Sequence, residues 1–334
     1  MKQNIFAVVV TVLLLSLTLG SPTIAQDETT IWFGAGSTTL DPYYVPLFTI
    51  GRQILAEEGI NMEFVALTTD EAVEAALDRG RVDAGFLATV GLHRALSQGL
   101  HFRVVLGLET QNPFVLVTSS ELESLDELAG GQVAAQSRTS LSVTVAQVLL
   151  QEEAGLVADT DYEMVYLAGS GNRAAAMEAG TIDAAVIFGP VATDLVARTD
   201  GAFKVYGGTW SVLEPMLWEG VAFSDVFIEE NPELAATFTA AMLQAYEEFY
   251  EGDPAEMVAL IEDIPEEVNA SPEALQAEYE LYQEIGLYPV DGGIGQEVYD
   301  RMADFLVEVG QLEADQIVPY EEGINTSFVD AAME

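Results

Sequence analysis

The sequence predicts an α/β protein of two lobes, each built on an open, mostly parallel sheet flanked by helices. The main observation is a phrase written twice, one hundred residues apart: Ala76-Leu-Asp-Arg-Gly80-Arg-Val-Asp83-Ala-Gly-Phe-Leu87 and Ala176-Met-Glu-Ala-Gly180-Thr-Ile-Asp183-Ala-Ala-Val-Ile187. Each copy is typical of a helix end, a glycine in the left-handed C′ position and a short buried strand. A single, widely spaced repetition does not suit a solenoid, so we expect two similar lobes with a ligand-sized cleft between them.

Alternating strand and helix patterns place the first lobe at both ends of the chain. We predict strands at 31–35, 61–67, 83–88 and 102–108, with helices at 44–57 and 70–78. The segment 216–223 is predicted to return to this lobe, followed by helices at 232–250, 254–262, 271–285 and 294–309. The first lobe is therefore expected to comprise residues 27–115 and 217–334.

The middle of the chain, residues 116–216, is predicted to form the second lobe. A strand at 113–118 crosses into it, and further strands are predicted at 132–135, 162–167 and 203–206. A helix is expected to follow the polar loop 136–140 and to continue to about residue 153. Because no low-complexity linker separates the lobes, two crossing strands are expected to act as a hinge.

The first 25 residues have the features of a secretory signal peptide. They carry Lys2, an uncharged apolar run at 5–19 and a small-residue ending, which predicts cleavage after Ala25. The apolar run is shorter than the roughly 20 residues that span a bilayer. The chain contains no cysteine, so disulfides, a thiolate nucleophile and a lipid-modified N-terminal cysteine are excluded. We expect an exported, periplasmic protein with no direct membrane insertion.

The charge of the chain excludes several classes of partner. Asp and Glu number 55 against 11 Lys and Arg, a net charge of −44. Nucleic acids and anionic lipid surfaces would be repelled. Because half of the residues are apolar, the acidic composition indicates a packed core under an acidic surface rather than disorder. Adaptation to a salty medium, as in a halophile, and selection for solubility are both compatible with this surface.

Residue patterns that would carry catalysis are sparse. The chain has two histidines, His93 and His101, whose spacing does not suit a metal site, and both are interpreted as surface residues. Paired carboxylates are expected by chance among so many acids, so none indicates glycosidase chemistry. Phosphate-binding glycine loops and a Gly-x-Ser-x-Gly nucleophile turn are absent from the sequence. We therefore expect no catalytic residues, no metal site and no cofactor.

The order of several phrases resembles a family, the periplasmic substrate-binding proteins of ABC importers for alkanesulfonates, taurine, nitrate and thiamine pyrimidine precursors. The resemblance covers roughly residues 30–309. Its phrases are Val82-Asp83-Ala84, Leu125-Asp126-Glu127-Leu128-Ala129-Gly130, Gly180-Thr-Ile-Asp183-Ala-Ala with Gly189-Pro190, and Asn231-Pro232-Glu233-Leu234. The chain departs from the thiamine-pyrimidine binders, because Thr39-Leu40-Asp41-Pro42-Tyr43-Tyr44 replaces their Asp-Trp-x-x-Asn opening.

The resemblance implies the bilobal type II periplasmic binding protein fold and a non-enzymatic receptor that closes on its ligand. The implied partners are a small organic ligand, either an anion such as a sulfonate or carboxylate or a small heteroaromatic, and a membrane permease with its ATPase. A monomer is expected. Two alternatives stay open: a sensory binding protein that presents its ligand to a receptor, and a pyrimidine-precursor enzyme on the same fold.

Ligands in open α/β sheets, and in this family, are held at strand ends and at the starts of the following helices. The leading candidates in the second lobe are the loop residues Ser137, Arg138, Thr139 and Ser140, where Arg138 could grip an oxyanion. The same loop could equally be a plain helix cap, and Arg138 could pair with a surface acid. Ser170, with Arg173 nearby, could complete this wall, although a tight turn without a ligand also explains this pair. Phe188 before Gly189-Pro190 is a further candidate, although a large aromatic at such a place is more often structural.

The first lobe offers hydroxyl and aromatic candidates. Ser37, Thr38, Tyr43 and Tyr44 follow the first predicted strand, and Thr89 follows the third. Tyrosine combines ring stacking with a hydroxyl hydrogen bond, but paired tyrosines are as often simple packing residues. Trp218 and Glu219 lie in the return crossing, where they could touch both the hinge and the cleft. A tryptophan at such a junction is more often structural.

Overall fold

The computed structural model describes residues 29–36, 43–44, 47–67, 69–138, 140–261 and 271–334. The predicted signal peptide, residues 1–25, lies outside the described residues. In the described part of the chain, two mixed sheets of five strands are flanked by helices. This confirms the predicted α/β class.

Both sheets are assembled in the same spatial pattern. The strands are β1 (Thr29–Ala35), β2 (Ile60–Ala66), β3 (Ala84–Ala88), β4 (Phe102–Glu109), β5 (Phe114–Ser119), β6 (Gln132–Ala135), β7 (Glu163–Tyr166), β8 (Ala184–Phe188), β9 (Phe203–Gly208) and β10 (Glu219–Ser224). The first sheet has the order β2-β1-β3-β10-β4 and the second the order β7-β6-β8-β5-β9.

One strand in each sheet runs against its neighbours. Strand β1 pairs in parallel with β2 and β3, whereas β10 is antiparallel to β3 and β4. In the second sheet, β6 pairs in parallel with β7 and β8, and β5 is antiparallel to β8 and β9. The two antiparallel strands are those by which the chain enters each sheet from the other one. The sheets are therefore mixed, because the crossing strands are inserted in the reverse direction.

Helices cover the faces and follow most strands. They are α1 (Arg52–Glu57), α2 (Asp70–Asp78), α3 (Thr89–Ser97), α4 (Leu141–Ala154), α5 (Ser170–Glu178), α6 (Gly189–Arg198), α7 (Asp225–Glu230), α8 (Pro232–Glu251), α9 (Pro254–Ile261), α10 (Pro272–Ile285), α11 (Gln296–Glu308), α12 (Tyr320–Gly323) and α13 (Ser327–Met333). The single helix predicted at 44–57 is wrong, because Tyr44 lies in a turn and a π-helical segment, Leu47–Gly51, precedes α1.

The repeated phrase forms the same local structure in both sheets. Gly80 and Gly180 have φ of 57° and 63°, the left-handed conformation that ends a helix without steric cost. The next N–H group donates back into the helix, from Arg81 to the Ala76 carbonyl at 2.8 Å and from Thr181 to the Ala176 carbonyl at 3.0 Å. The predicted helix stop is confirmed in both copies.

The C-terminal helices return to the first sheet and bury its outer face. Phe238 and Phe249 of α8, Tyr279 of α10 and Phe328 of α13 belong to the same apolar cluster as Phe33 of β1. The second sheet has its own apolar clusters on its two faces. Among the described helices, none is long and apolar enough to cross a membrane.

Candidate ligand-binding cleft

A cavity of about 370 Å³ lies between the two sheets, and we call it the interlobe cavity. The first sheet contributes the carboxyl ends of β1, β3 and β4 and the beginning of the reversed strand β10. The second contributes the beginning of β5, the residue after β6 and the start of α4. The lining residues are Ala35, Gly36, Tyr43, Tyr44, Asp70, Ala88, Glu109, Pro113, Phe114, Gln136, Leu141, Trp218 and Glu219. Its position agrees with the rule that open α/β sheets bind ligands beyond their carboxyl strand ends.

Aromatic side chains form much of the cavity wall. The rings of Tyr43 and Tyr44 are 4.2 Å apart between centroids, and Tyr44 is stacked on Phe86 at 3.8 Å. From the second sheet, Phe188 meets Tyr43 at 5.8 Å and Phe114 at 5.6 Å. These contacts place aromatic rings from both sheets side by side, so that a flat or apolar ligand portion would find a ring surface in the cavity.

Hydroxyl groups link the tyrosines to a carboxylate. The Tyr43 hydroxyl donates to the Tyr44 oxygen at 3.0 Å, and the Tyr44 hydroxyl donates to Oε1 of Glu219 at 2.6 Å. Hydrogen bonds to ionised acceptors are short and strong. These two hydrogen bonds therefore fix the position of the Glu219 carboxylate on the cavity wall.

Carboxylates of two strands and one helix converge on the interlobe cavity. Glu219 at the beginning of β10 is registered opposite Glu109 at the end of β4. Glu109 is 5% exposed. Asp70, at the first position of α2, reaches the end of β1, where Gly36 leaves room that a Cβ would fill. Partial desolvation raises the pKa of Asp70, and the neighbouring Glu71 raises it further.

Tyr43, Tyr44, Trp218 and Glu219 are the sequence-predicted candidates that line this cavity. The indole of Trp218 also packs edge-on against Phe305 at 5.6 Å and is 6% exposed. Phe188 contributes through its contacts with Tyr43 and Phe114. Ser37, Thr38 and Thr139 lie outside the described residues, and their roles stay predictions.

The predicted hydroxyl candidates are engaged in contacts within the protein. Thr89 donates from its hydroxyl to the Leu217 carbonyl at 2.5 Å and from its backbone N–H to the Trp218 carbonyl at 3.0 Å. In the loop before α4, the Ser140 hydroxyl donates to the Ser137 carbonyl at 2.9 Å. The Ser137 N–H donates back to the Ser140 oxygen at 3.1 Å. These bonds hold together the loop before α4, the helix whose first residue, Leu141, lines the cavity.

Ser170 and Arg173 hold strand ends of the second sheet together. The Ser170 oxygen accepts from the Phe188 N–H at 3.1 Å and from Nη2 of Arg173 at 2.9 Å. Fully buried, Arg173 also donates to the carbonyls of Val186 at 2.7 Å and Leu167 at 2.8 Å. Its burial lowers the pKa of the guanidinium to about 10. These contacts position Phe188 beside the cavity.

Arg138 lies in a separate cavity of about 260 Å³. Its guanidinium is 4.7 Å from the centroid of the Tyr166 ring, a cation–π distance. Arg94 of α3 lines the same space and donates to the Gln311 carbonyl at 3.1 Å. Arg94, in the helix after β3, and Arg138, in the loop after β6, therefore line this second cavity.

His93 is buried, so the interpretation of both histidines as surface residues is wrong for this one. Its ring is 0% exposed, and Nδ1 accepts from the Val318 N–H at 3.2 Å. Burial lowers the pKa of His93 to about 4, which keeps the imidazole neutral. His101 is exposed beside Asp78. In the described ranges, no group of three or more His, Asp or Glu residues could hold a metal ion.

Sequence reasoning missed Asp70, Glu109 and Phe114 as cavity residues. Each occupies a place where the strand-end rule applies: Asp70 starts a helix after β2, Glu109 ends β4, and Phe114 begins β5. The rule that selected Thr89 could have selected Asp70 and Glu109. Phe114 is different, because the start of β5 lies at this edge only when the strand runs in the reverse direction.

The structure thus consists of two five-stranded sheets flanked by helices, with a cavity between the sheets. The chain belongs to the NMT1/THI5 like family, whose model matches residues 55–257. This family assignment supports the resemblance noted in the sequence. Comparison with curated proteins gives no match.

Three solved structures with a similar fold are named as ligand-binding proteins. The ligand-binding component of an ABC-type import system from Staphylococcus aureus aligns with a TM-score of 0.70 and 12% identity, over 91% of this chain and 99% of that one. The periplasmic aliphatic sulphonate binding protein SsuA from Escherichia coli aligns with a TM-score of 0.64 and 17% identity, over 87% and 92%. The periplasmic nitrate-binding protein NrtA from Synechocystis PCC 6803 aligns at 0.65 and 13%, over 92% and 88%.

Proposed function

We propose that this protein is a periplasmic solute-binding receptor of an ABC importer. Its lobes, residues 27–115 with 217–334 and residues 116–216, close on a small organic ligand. The closed form is recognised by a membrane permease with its ATPase, and the protein performs no chemistry on the ligand. The family assignment supports this role, as do the import-system components with a similar fold.

The observation that carries the proposal is the convergence of both sheets on one cavity. A ring contact joins the two sides, because the ring centroids of Tyr43 and Phe188 are 5.8 Å apart. The chain passes between the sheets through short segments, four residues between β4 and β5 and ten between β9 and β10. Such connections allow the sheets to move as bodies about a few backbone positions. A ligand that contacts both walls stabilises the closed arrangement by its differential affinity.

The two predicted ligand classes correspond to two places in the structure. A sulfonate or carboxylate suits the cavity that contains Arg94 and Arg138, because guanidinium groups bind oxyanions. The relatives named for sulphonate and nitrate favour this class. A small heteroaromatic suits the interlobe cavity, because its wall presents rings and hydrogen-bonding carboxylates. For an anion bound at the first place, Arg138→Ala is expected to weaken affinity more than tenfold, or about 1.4 kcal/mol.

A thermal-shift screen tests the receptor function. The chain lacking residues 1–25 is heated in high salt with sulfonates, aromatic and aliphatic carboxylates, pyrimidines, aromatic amines and nitrate. A ligand bound only by the native state must raise the melting temperature. Small-angle scattering at a saturating concentration of the hit should then show a more compact particle. A scattering profile unchanged by every stabilising compound would contradict lobe closure.

A further inference from the structure

We infer that the ligand of the interlobe cavity is an organic cation, a protonated nitrogen base held by the carboxylates of Asp70, Glu109 and Glu219 against an aromatic wall. This inference rests on the proposed receptor function and names the substrate class of that site. It depends on three observations that are independent of one another: a pair of opposed carboxylates, a lining without basic side chains, and rings from both sheets.

The first observation is the pairing of Glu109 with Glu219. They are registered opposite each other on adjacent antiparallel strands, beside an irregularity in the register between Glu219 and Gly220. Both line the cavity, and Glu109 is 5% exposed. Like charges directly opposite each other destabilise a sheet, and low solvent exposure strengthens their repulsion. A cation bound in the cavity would be attracted by both carboxylates.

The second observation is the lining itself. Lys and Arg are absent from the described residues that line the interlobe cavity. Between Gly36 and Tyr43, which both line the cavity, the sequence contains no basic residue and one further acid, Asp41. The arginines Arg94 and Arg138 line the other cavity. An anion in the interlobe cavity would therefore meet carboxylates without a neighbouring side-chain cation among the described lining residues.

The third observation is the aromatic wall. Tyr43, Phe114 and Trp218 line the same space as the carboxylates. Ring faces attract cations by about 0.5–2 kcal/mol, and they also cover the apolar part of an organic ligand. Because ring faces and carboxylates line the same space, a cation with an apolar carbon part can contact both. The chain's net charge of −44 would also draw cations toward the protein.

The test uses three probes with one ring and different charges: benzylamine, benzyl alcohol and phenylmethanesulfonate. Calorimetric titration of the chain lacking residues 1–25 should rank benzylamine first, with an affinity that falls as salt is raised. Glu219→Gln and Asp70→Asn should each weaken benzylamine about tenfold and leave benzyl alcohol within about twofold. Two carboxylate sites are varied so that a folding defect in one variant does not decide the outcome. Glu284→Gln, on the exposed face of α10, is the matched control and should leave all three probes unchanged.

The outcomes separate this inference from the receptor function. If phenylmethanesulfonate binds best and compacts the particle in scattering, the receptor function stands and the cationic ligand is overturned. If benzylamine does not bind, or binds Glu219→Gln and Asp70→Asn as tightly as the parent chain, the inference is likewise overturned. If neither these probes nor any compound of the wider screen closes the lobes, the receptor function itself fails.

Discussion

Glu109 and Glu219 lie opposite each other on β4 and β10, so that two carboxylates share the wall of one cavity. The backbone holds this register, because the Trp218 N–H donates to the Glu109 carbonyl at 3.1 Å. Opposed acids destabilise a sheet, whereas the Tyr44 hydroxyl compensates in part through its 2.6 Å bond to Glu219. The Tyr44 hydroxyl is therefore a stabilising contact of this acidic pair.

Removing the Tyr44 hydroxyl should lower the stability of the folded protein. Tyr44→Phe deletes the donor to Glu219 and the acceptor for the Tyr43 hydroxyl, and a hydrogen bond to a charged group contributes about 1.5–3 kcal/mol. We expect the free energy of unfolding, measured in urea without ligand, to fall by about 2 kcal/mol. Tyr43→Phe is the control, because the Tyr43–Tyr44 bond that it removes joins two hydroxyls rather than a hydroxyl and a carboxylate, and its loss should cost about 1 kcal/mol. Equal effects of the two substitutions would contradict this account of Glu219.

The two repeated aspartates are predicted to be equivalent structural residues. Oδ2 of Asp83 accepts from the Trp32 N–H at 2.8 Å, and Oδ2 of Asp183 accepts from the Gln132 N–H at 2.7 Å. Each carboxylate joins the start of one strand to its parallel neighbour. Asp183→Ala should lower stability by about 1–3 kcal/mol and speed amide exchange at Gln132. Asp183→Asn keeps an acceptor oxygen and should cost less.

The matched control for these aspartates is Asp304→Ala on the exposed side of α11, which should change stability by at most about 0.5 kcal/mol. Asp83→Ala should accelerate exchange at Trp32 rather than at Gln132, since the two bonds belong to different sheets. Accelerated exchange spread evenly over both sheets would argue against a local role.

Gly189 is predicted to be needed where α6 meets α10. A Cβ at this position would collide with the Glu278 carboxylate of α10, whereas a Cβ at Gly171 in α5 meets nothing within 4 Å. Because Glu278 is 2% exposed and has little room to move aside, Gly189→Ala should destabilise the protein by about 1–3 kcal/mol, and Gly171→Ala should not. The measurement is the unfolding midpoint of both variants. Combining Gly189→Ala with Glu278→Ala should recover much of the loss, and additive effects would contradict a direct collision.

The sequence predicts the parts of this fold that depend on local chemistry. Gly80 and Gly180 mark helix ends because only a residue without a Cβ adopts the left-handed conformation at no steric cost, and the apolar runs after them become β3 and β8. The reversed directions of β5 and β10 depend on how the chain crosses between sheets. That is a property of the whole topology, so local patterns did not reveal it.

The residues of the candidate site also differ in whether the sequence alone could predict them. Tyr43, Tyr44, Trp218 and Glu219 could be selected because they follow or precede predicted strands. Glu109 could not be singled out among 55 acids, since its distinction is the partner opposite it on a strand far away in sequence. The placement of Arg138 over the Tyr166 ring likewise depends on a side-chain direction that spacing does not encode.

Glu278 should make the stability of the protein depend on pH. Its side chain is 2% exposed between α10 and the start of α6, with the Thr193 hydroxyl 3.5 Å from Oε1 and Tyr279 and Tyr282 as titratable neighbours. Burial raises the pKa of Glu278 from an ordinary 4.5 to about 8. Between these two values the folded chain binds a proton that the unfolded chain releases. Stability from this group is therefore complete below about pH 4.5 and is lost as the pH rises toward 8, by about 1.4 kcal/mol per pH unit.

Glu278→Gln keeps the shape of the side chain and removes its titration. We expect the variant and the parent chain to have similar stability near pH 5, and the variant to gain an increasing advantage up to about pH 8 and a constant one above it. Urea unfolding at a series of pH values measures this difference directly, and Glu284→Gln on the exposed face of the same helix should follow the parent curve. A stability difference between Glu278→Gln and the parent that stays constant from pH 5 to pH 8 would show that this carboxyl is ionised in the folded protein.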